Sequence, residues 1–187
     1  MFRIDTLIAC IRTSTNPQVQ NRTLLLLSSL AQIVPDLILN HVMPIFTFMG
    51  ASVLRQDDEY SAHVIEQTIK FVIPILANAS RFDTAPIISA FIVNFDFIPK
   101  HRRLSLFKAL LEALGSNRDI AITLFLLAEK SVQANEKSRS VIREFGIDLA
   151  NSFALSTRLM VCAYSVFLTL DNRRIPRDSY NDPPRYI

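Results

Sequence analysis

Apolar residues recur along this chain every three or four positions, and the runs are broken by proline far more often than by glycine. Ile4, Leu7, Ile8 and Ile11 set that spacing at the start of the chain. Val64, Ile65, Thr68, Ile69, Val72, Ile73 and Leu76 hold it in the middle, and Leu104, Phe107, Leu111 and Leu114 hold it again further on. Such a period gathers the apolar side chains into one stripe of an α-helix. No stretch alternates with period two, and three glycines are too few for the tight turns of a sheet protein. The expectation is an all-α fold.

Proline and capping residues divide the chain into segments. Asn16-Pro17 has a good N-cap followed by proline at the first helical position, where its missing N–H costs nothing. The helix it opens runs to about Ile33, and its Leu24 to Leu27 run is expected to be buried between neighbours. A third helix starts at Pro35 and reaches Phe48 or Met49, with Pro44 kinking or splitting it and Gly50 as its stop. A hinge over 51–56 follows. Asp57, Asp58 and Glu59 then load the first turn of a fourth helix with the charge its dipole favours, and Pro74 puts a late kink in it.

Asp83-Thr84 caps a fifth helix over 85–97, which Ile98-Pro99 ends. Lys100 opens a sixth and Gly115 closes it, and Ser116 with Asp119 resembles a capping box for a seventh reaching Ala134. Helices over roughly 136–153 and 156–170 complete about nine. From Asp171 the sequence turns polar and aperiodic, so 172–187 reads as an extended or disordered tail. Taken two by two from the second, the helices form about four pairs of roughly 35 to 40 residues. That is the period of an α-solenoid of degenerate HEAT-type hairpins, spanning 1–171.

Half of the residues are hydrophobic, and the mean hydropathy is +0.26. A membrane span needs about 18 consecutive apolar residues, whereas the longest near-continuous run, Ile120 to Ala128, already contains Thr123. Internal solenoid repeats bury both flanks against neighbours, so the apolar excess is what a segment of a longer solenoid would show. Cys10 and Cys162 lie far apart on apolar helical faces and read as buried free thiols. The net charge of +3 permits a phosphate contact without requiring one.

Candidate sites are few. Arg55, Gln56, Asp57, Asp58 and Tyr60 form a polar cluster in the hinge, either a charged helix start in a solvated loop or a docking surface for a partner loop. Lys100, His101, Arg102 and Arg103 are the densest basic patch, and positive charge at a helix start opposes the dipole. It is either a solvated face or a contact for phosphate or an acidic partner. Arg173, Arg174, Arg177 and Arg185, with Tyr180 and Tyr186, allow the tail the same two readings. His41, His63 and His101 lack carboxylate or cysteine partners at ligand spacing, so no metal site is expected. No nucleotide-binding glycine motif and no nucleophile–base arrangement occurs, so neither catalytic residues nor a cofactor are expected. Phe46, Phe48, Phe91, Phe95 and Phe97 read as core.

The strings HVMPIFTFMG, VLRQDDEYS and VIEQTIKFVIPIL, followed by IPKHRRLSLFKALLEALG at 98–115, carry a family resemblance. They resemble the large HEAT-repeat proteins of the small-subunit processome, which associate with the U-three small nucleolar RNA. The likeness covers roughly 16–135 well and the rest loosely. It implies a non-enzymatic nucleolar scaffold for maturation of pre-18S ribosomal RNA, linked also to ribosomal DNA transcription. It implies protein partners, β-propeller subunits especially, near pre-ribosomal RNA and the U-three RNA, with no membrane and no small-molecule substrate. It assigns no residue to any partner. Two other readings stand beside it: an RNA-binding helical module using 100–103 and the tail, and a HEAT-type nuclear transport adaptor.

Overall fold

The computed structural model describes residues 3–51, 56–78, 83–153 and 165. Nine α-helices lie among them: α1 (Ile4–Thr13), α2 (Pro17–Ile33), α3 (Pro35–Leu39), α4 (Val42–Ala51), α5 (Glu59–Asn78), α6 (Ala85–Val93), α7 (Lys100–Leu114), α8 (Asn117–Gln133) and α9 (Glu136–Asn151). A 3-10 turn at Phe95–Phe97 links α6 to α7. The expected helix over 156–170 and the tail lie outside the described residues.

The local punctuation behaves as its chemistry dictates. Asn16 Oδ1 accepts from the Gln18 N–H at 2.9 Å, and Asn135 Oδ1 accepts from the Ser138 N–H at 2.9 Å. Gly115 ends α7 in the left-handed region at φ 70°, where a Cβ would be strained. Ser116 caps α8 through the Arg118 N–H, but Asp119 does not complete a capping box. Its buried carboxylate accepts from the Thr84 hydroxyl on the neighbouring repeat instead.

The helices form two layers. In one, α2 packs on α5, α5 on α7 and α7 on α9; in the other, α1 packs on α4, α4 on α6 and α6 on α8. Apart from α3, which packs on α2 and α5, each helix thus meets its counterpart in the next repeat, which is how a solenoid buries faces that a single hairpin would leave wet. The register is visible in polar pairs. Asn21–Ser61 and Ser28–Thr68 bridge α2 and α5, each across 40 positions, and Thr84–Asp119 joins the start of α6 to α8 across 35. Between the layers runs a line of rings from α4 to α9. Phe46 meets Phe91, Phe91 meets Phe107, and Phe95 and Phe107 both meet Phe145, with centroids 4.9 to 6.2 Å apart. Phe46, Phe91, Phe95 and Phe107 are fully buried. Each burial stabilises the fold by about 1.5–3 kcal/mol, and the tilted ring pairs add to it.

Pro44 splits the third helix into two, α3 and α4, because its ring excludes the Asn40 carbonyl from a continuous helix; several other expectations are corrected. The break falls at Asn40-His41, and Pro44 sits harmlessly in the first turn of α4. Gly50 does not stop that helix but lies inside it. A Cβ there would stand 2.7 Å from Asn94 Nδ2, so the glycine permits the close approach of α6. The fifth helix ends at Val93, not at residue 97. Cys10 is exposed, since the buried stripe of α1 is Ile4, Ile8 and Ile11; Cys162 lies outside the described residues. Leu26 and Leu104 face solvent, and Phe97 is 52% exposed although Phe46, Phe91 and Phe95 are core.

Candidate partner-binding site

The helices of the α2–α5–α7 layer begin along one edge, and the polar hinge residues sit on it. Asp58 is the organising side chain. Its Oδ1 accepts from the Ser61 N–H at 2.8 Å and its Oδ2 from the Ser61 hydroxyl, so it caps α5 rather than lying within its first turn. Helix α5 starts at Glu59, and Asp57 precedes it. The Ser61 hydroxyl and then its N–H hold the Asp58 carboxyl below the usual carboxylate range, with Arg102 adding to the effect.

Ser61 also ties the edge to α2. Its Oγ accepts from Asn21 Nδ2 at 2.8 Å and lies 2.7 Å from Gln56 Oε1. Arg102 ties the same edge to α7. Its Nη1 donates to the Asp58 carbonyl at 2.7 Å, and its Nε stands 3.1 Å from both Asp57 Oδ1 and His101 Nε2. His101 Nε2 is also 3.4 Å from Asp57 Oδ1. A guanidinium can only donate, so His101 Nε2 is the acceptor here and Arg102 bridges the two.

Two clefts open between these helix starts. The larger, about 770 Å³, is lined by Asn16, Pro17, Asn21 and Arg22 of the α2 region and by Gln56, Asp58, Tyr60 and Ser61. The smaller, about 130 Å³, lies between α5 and α7 and is lined by Gln56, Glu59, Pro99 and Arg102 among others. Gln56 borders both. Tyr60 is 47% exposed at the rim of the larger.

The hinge set therefore comes together: Gln56, Asp57, Asp58 and Tyr60 share one edge, while Arg55 lies outside the described residues. The basic patch is divided. Lys100 and His101 are exposed, and Arg102 is engaged with the hinge. Arg103 is 8% exposed. Its Nε donates to the Ile98 carbonyl at 2.9 Å, its Nη2 to the Asp96 carbonyl at 3.4 Å, and its guanidinium lies over the Phe95 ring. Burial depresses its basicity, and Asp96 opposes that. Arg173 and Arg174 lie outside the described residues.

Asn21, Arg22 and Ser61 were missed as site residues. The signal for Asn21 was present: a polar residue on the apolar face of α2, with a matching polar residue 40 positions on, repeated by Ser28 and Thr68.

Comparison with known proteins bears on what this edge belongs to. A family model described as "HEATR1-like, HEAT repeats" matches residues 81–171. The U3 small nucleolar RNA-associated protein 10 of Schizosaccharomyces pombe is 46% identical over 159 residues, 84% of this chain and 10% of the relative. Its namesake in Yarrowia lipolytica is 43% identical over 168 residues, 86% of this chain and 10% of the relative. This chain belongs to that HEAT-repeat family. A third member, from Aspergillus clavatus, is 47% identical over 137 residues, 70% of this chain and 8% of the relative. The chain thus spans about a tenth of the length of these family members. No helix among the described residues is long and apolar enough to cross a membrane.

Proposed function

We propose that this segment is a non-enzymatic scaffold of the nucleolar small-subunit processome, supporting maturation of pre-18S ribosomal RNA. The likeness to proteins named for the U3 small nucleolar RNA supports the assembly. The observation that carries the docking role is the edge where α2, α5 and α7 begin. It holds Gln56, Asp58 and Tyr60 beside two clefts, on helices braced across 40 residues by Asn21 and Ser61. A rigid polar edge with adjacent recesses suits a loop of a partner protein, and we assign it to processome proteins of the β-propeller kind.

The test places a photo-crosslinking phenylalanine analogue at position 60 of the full-length protein and recovers intact particles. Mass spectrometry of the adducts is expected to find processome proteins. Adducts confined to this chain, from particles that assemble normally, overturn the reading.

A second reading, contact with pre-ribosomal or U3 RNA, rests on Lys100 and His101. Both are exposed at the start of α7, which has no side-chain N-cap. Steep loss of RNA affinity with salt, flattened in K100A/H101A, would support it; a slope unchanged by that variant would remove it.

A further inference from the structure

A groove runs along the seam between α5 and α7, away from the helix starts. The two helices lie side by side in one direction: Glu59 and Arg102 line its first recess, and Pro74 and Ala113 line its second. The first is the smaller cleft described above. The second has about 440 Å³, and Glu66 borders both. The floor is apolar, made by Ala62, Ile65, Ile69, Leu106, Ala109 and Ala113. Three of these are alanines, so a visiting backbone can come close. From Glu59 to Pro74 the seam is about 22 Å long, the length of roughly four helical turns. Its charge is uneven. Glu59 and Glu66 are exposed, and neither makes an ion pair among the described residues. Arg102, the cation lining the same recess, is already engaged by Asp57 and the Asp58 carbonyl. The second recess adds one charge of each sign, Lys70 and Glu112, and Glu112 stands 3.8 Å from Lys108. The unmatched charge of the groove is therefore negative.

We propose that the α5–α7 groove takes an amphipathic helix of a partner protein, with aliphatic residues on the floor and lysine or arginine along the edge that meets Glu59 and Glu66. This rests on the docking reading above and carries it from the helix starts along the seam. A straight apolar trough between two helices is filled by the i, i+3, i+4 and i+7 anchors of a third. Glu59 and Glu66 lie two turns apart on one face of α5, about 10.5 Å, which matches basic residues at i and i+7 of a helix laid alongside. Opposite charge across such a rim selects the partner and its direction more than it adds affinity. Nucleic acid is disfavoured, because its phosphates would meet the two free carboxylates. The groove between α6 and α8, lined by Pro86, Ile122, Phe125 and Leu126 among others, is more apolar. Its charged residues, Asp83 and Arg118, are of opposite sign, so nothing there selects a charged occupant.

The experiment titrates the isotope-labelled 187-residue chain with an amphipathic peptide of leucine and lysine, and in parallel with its leucine–glutamate counterpart, read by amide NMR. Each peptide is about 15 residues long, to match the seam. The lysine peptide is expected to shift the amides of Ala62, Glu66, Ala109 and Ala113 saturably, with the glutamate peptide at least about tenfold weaker. E59Q/E66Q should weaken the lysine peptide about three- to tenfold with the fold intact, since both side chains are exposed and unpaired. A109R fills the groove and should abolish those shifts; where A109R fails to fold, E59Q/E66Q still decides. Shifts at Ile122 and Phe125 instead would mean that apolar contact alone directs the peptide, and would overturn the proposal. Equal binding of the two peptides, or an affinity unchanged in E59Q/E66Q, would overturn it too. If the peptide test fails while position 60 still crosslinks to processome proteins, the groove proposal falls and the docking edge stands. If the lysine peptide binds as expected and position 60 finds no partner, the reverse holds.

Discussion

The guanidinium of Arg103 lies over the ring of Phe95, 4.3 Å from its centroid, while its Nε donates to the carbonyl of Ile98. One side chain thereby holds the 3-10 turn onto α7. R103A is expected to cost about 2–3 kcal/mol, from a charge-assisted bond, a stacked cation and a carbonyl left unpaired. R103K should recover less than half, since an ammonium can neither fork nor stack in the same way. K100A, at an exposed position, should stay within about 0.5 kcal/mol. Urea unfolding of the three variants checks this. It follows that a binding test of the basic patch needs Lys100 and His101, because removing Arg103 also removes structure.

Ser61 joins two helices of successive repeats, and its loss should be felt on both. S61A leaves the Asn21 amide and Asp58 short of partners, and is expected to cost about 1–3 kcal/mol. Replacing both ends of the pair, as N21L/S61A, should cost less than the two single changes added together. A double-mutant cycle by denaturant unfolding decides it; strict additivity would mean that the two residues do not interact.

Asp58 gives stability a defined dependence on acid. Its folded-state carboxyl is held below the usual 3.8, so the folded chain binds that proton less tightly than the unfolded chain. The contribution is therefore present above the unfolded value and is lost as the pH falls through the folded one. The stability difference between wild type and D58N is expected to shrink as pH is lowered from about 5 toward 2–3. Thermal melts across that range measure it, and a difference constant with pH would contradict the capping geometry.

Gly50 is the point of closest approach between α4 and α6. In G50A the new methyl would displace Asn94 from its 2.8 Å bond to the Ala90 carbonyl. Overpacking should outweigh the better helix propensity of alanine, for a net loss of about 1 kcal/mol. G50A/N94A should regain part of it. A stabilised G50A would show that Asn94 moves aside freely.

These residues also show how far the sequence could be read. Helix ends at Asn16, Gly115 and Ser116 were legible because a cap acts within three or four residues of itself. The break forced by Pro44 was legible in kind, though its position was not: the constraint acts on the carbonyl four residues earlier. Of the candidate site, the hinge was visible as a run of polar residues between apolar helices. Its other wall was not, since Asn21 and Arg22 enter from a helix about 40 residues upstream.

By itself, the sequence determined that this chain is helical, where most helices begin and end, and which HEAT-repeat family it belongs to. Those properties depend on neighbours along the chain or on strings of residues taken whole. Only the tertiary structure decided that Arg103 is buried, that Cys10, Leu26 and Phe97 are exposed, and that Gly50 lies inside a helix. It alone brought Asn21, Asp58, Ser61 and Arg102 to one edge. The physical reason is that a helix has one period but several faces. Which face is covered depends on the helix of the next repeat, 35 to 44 residues away.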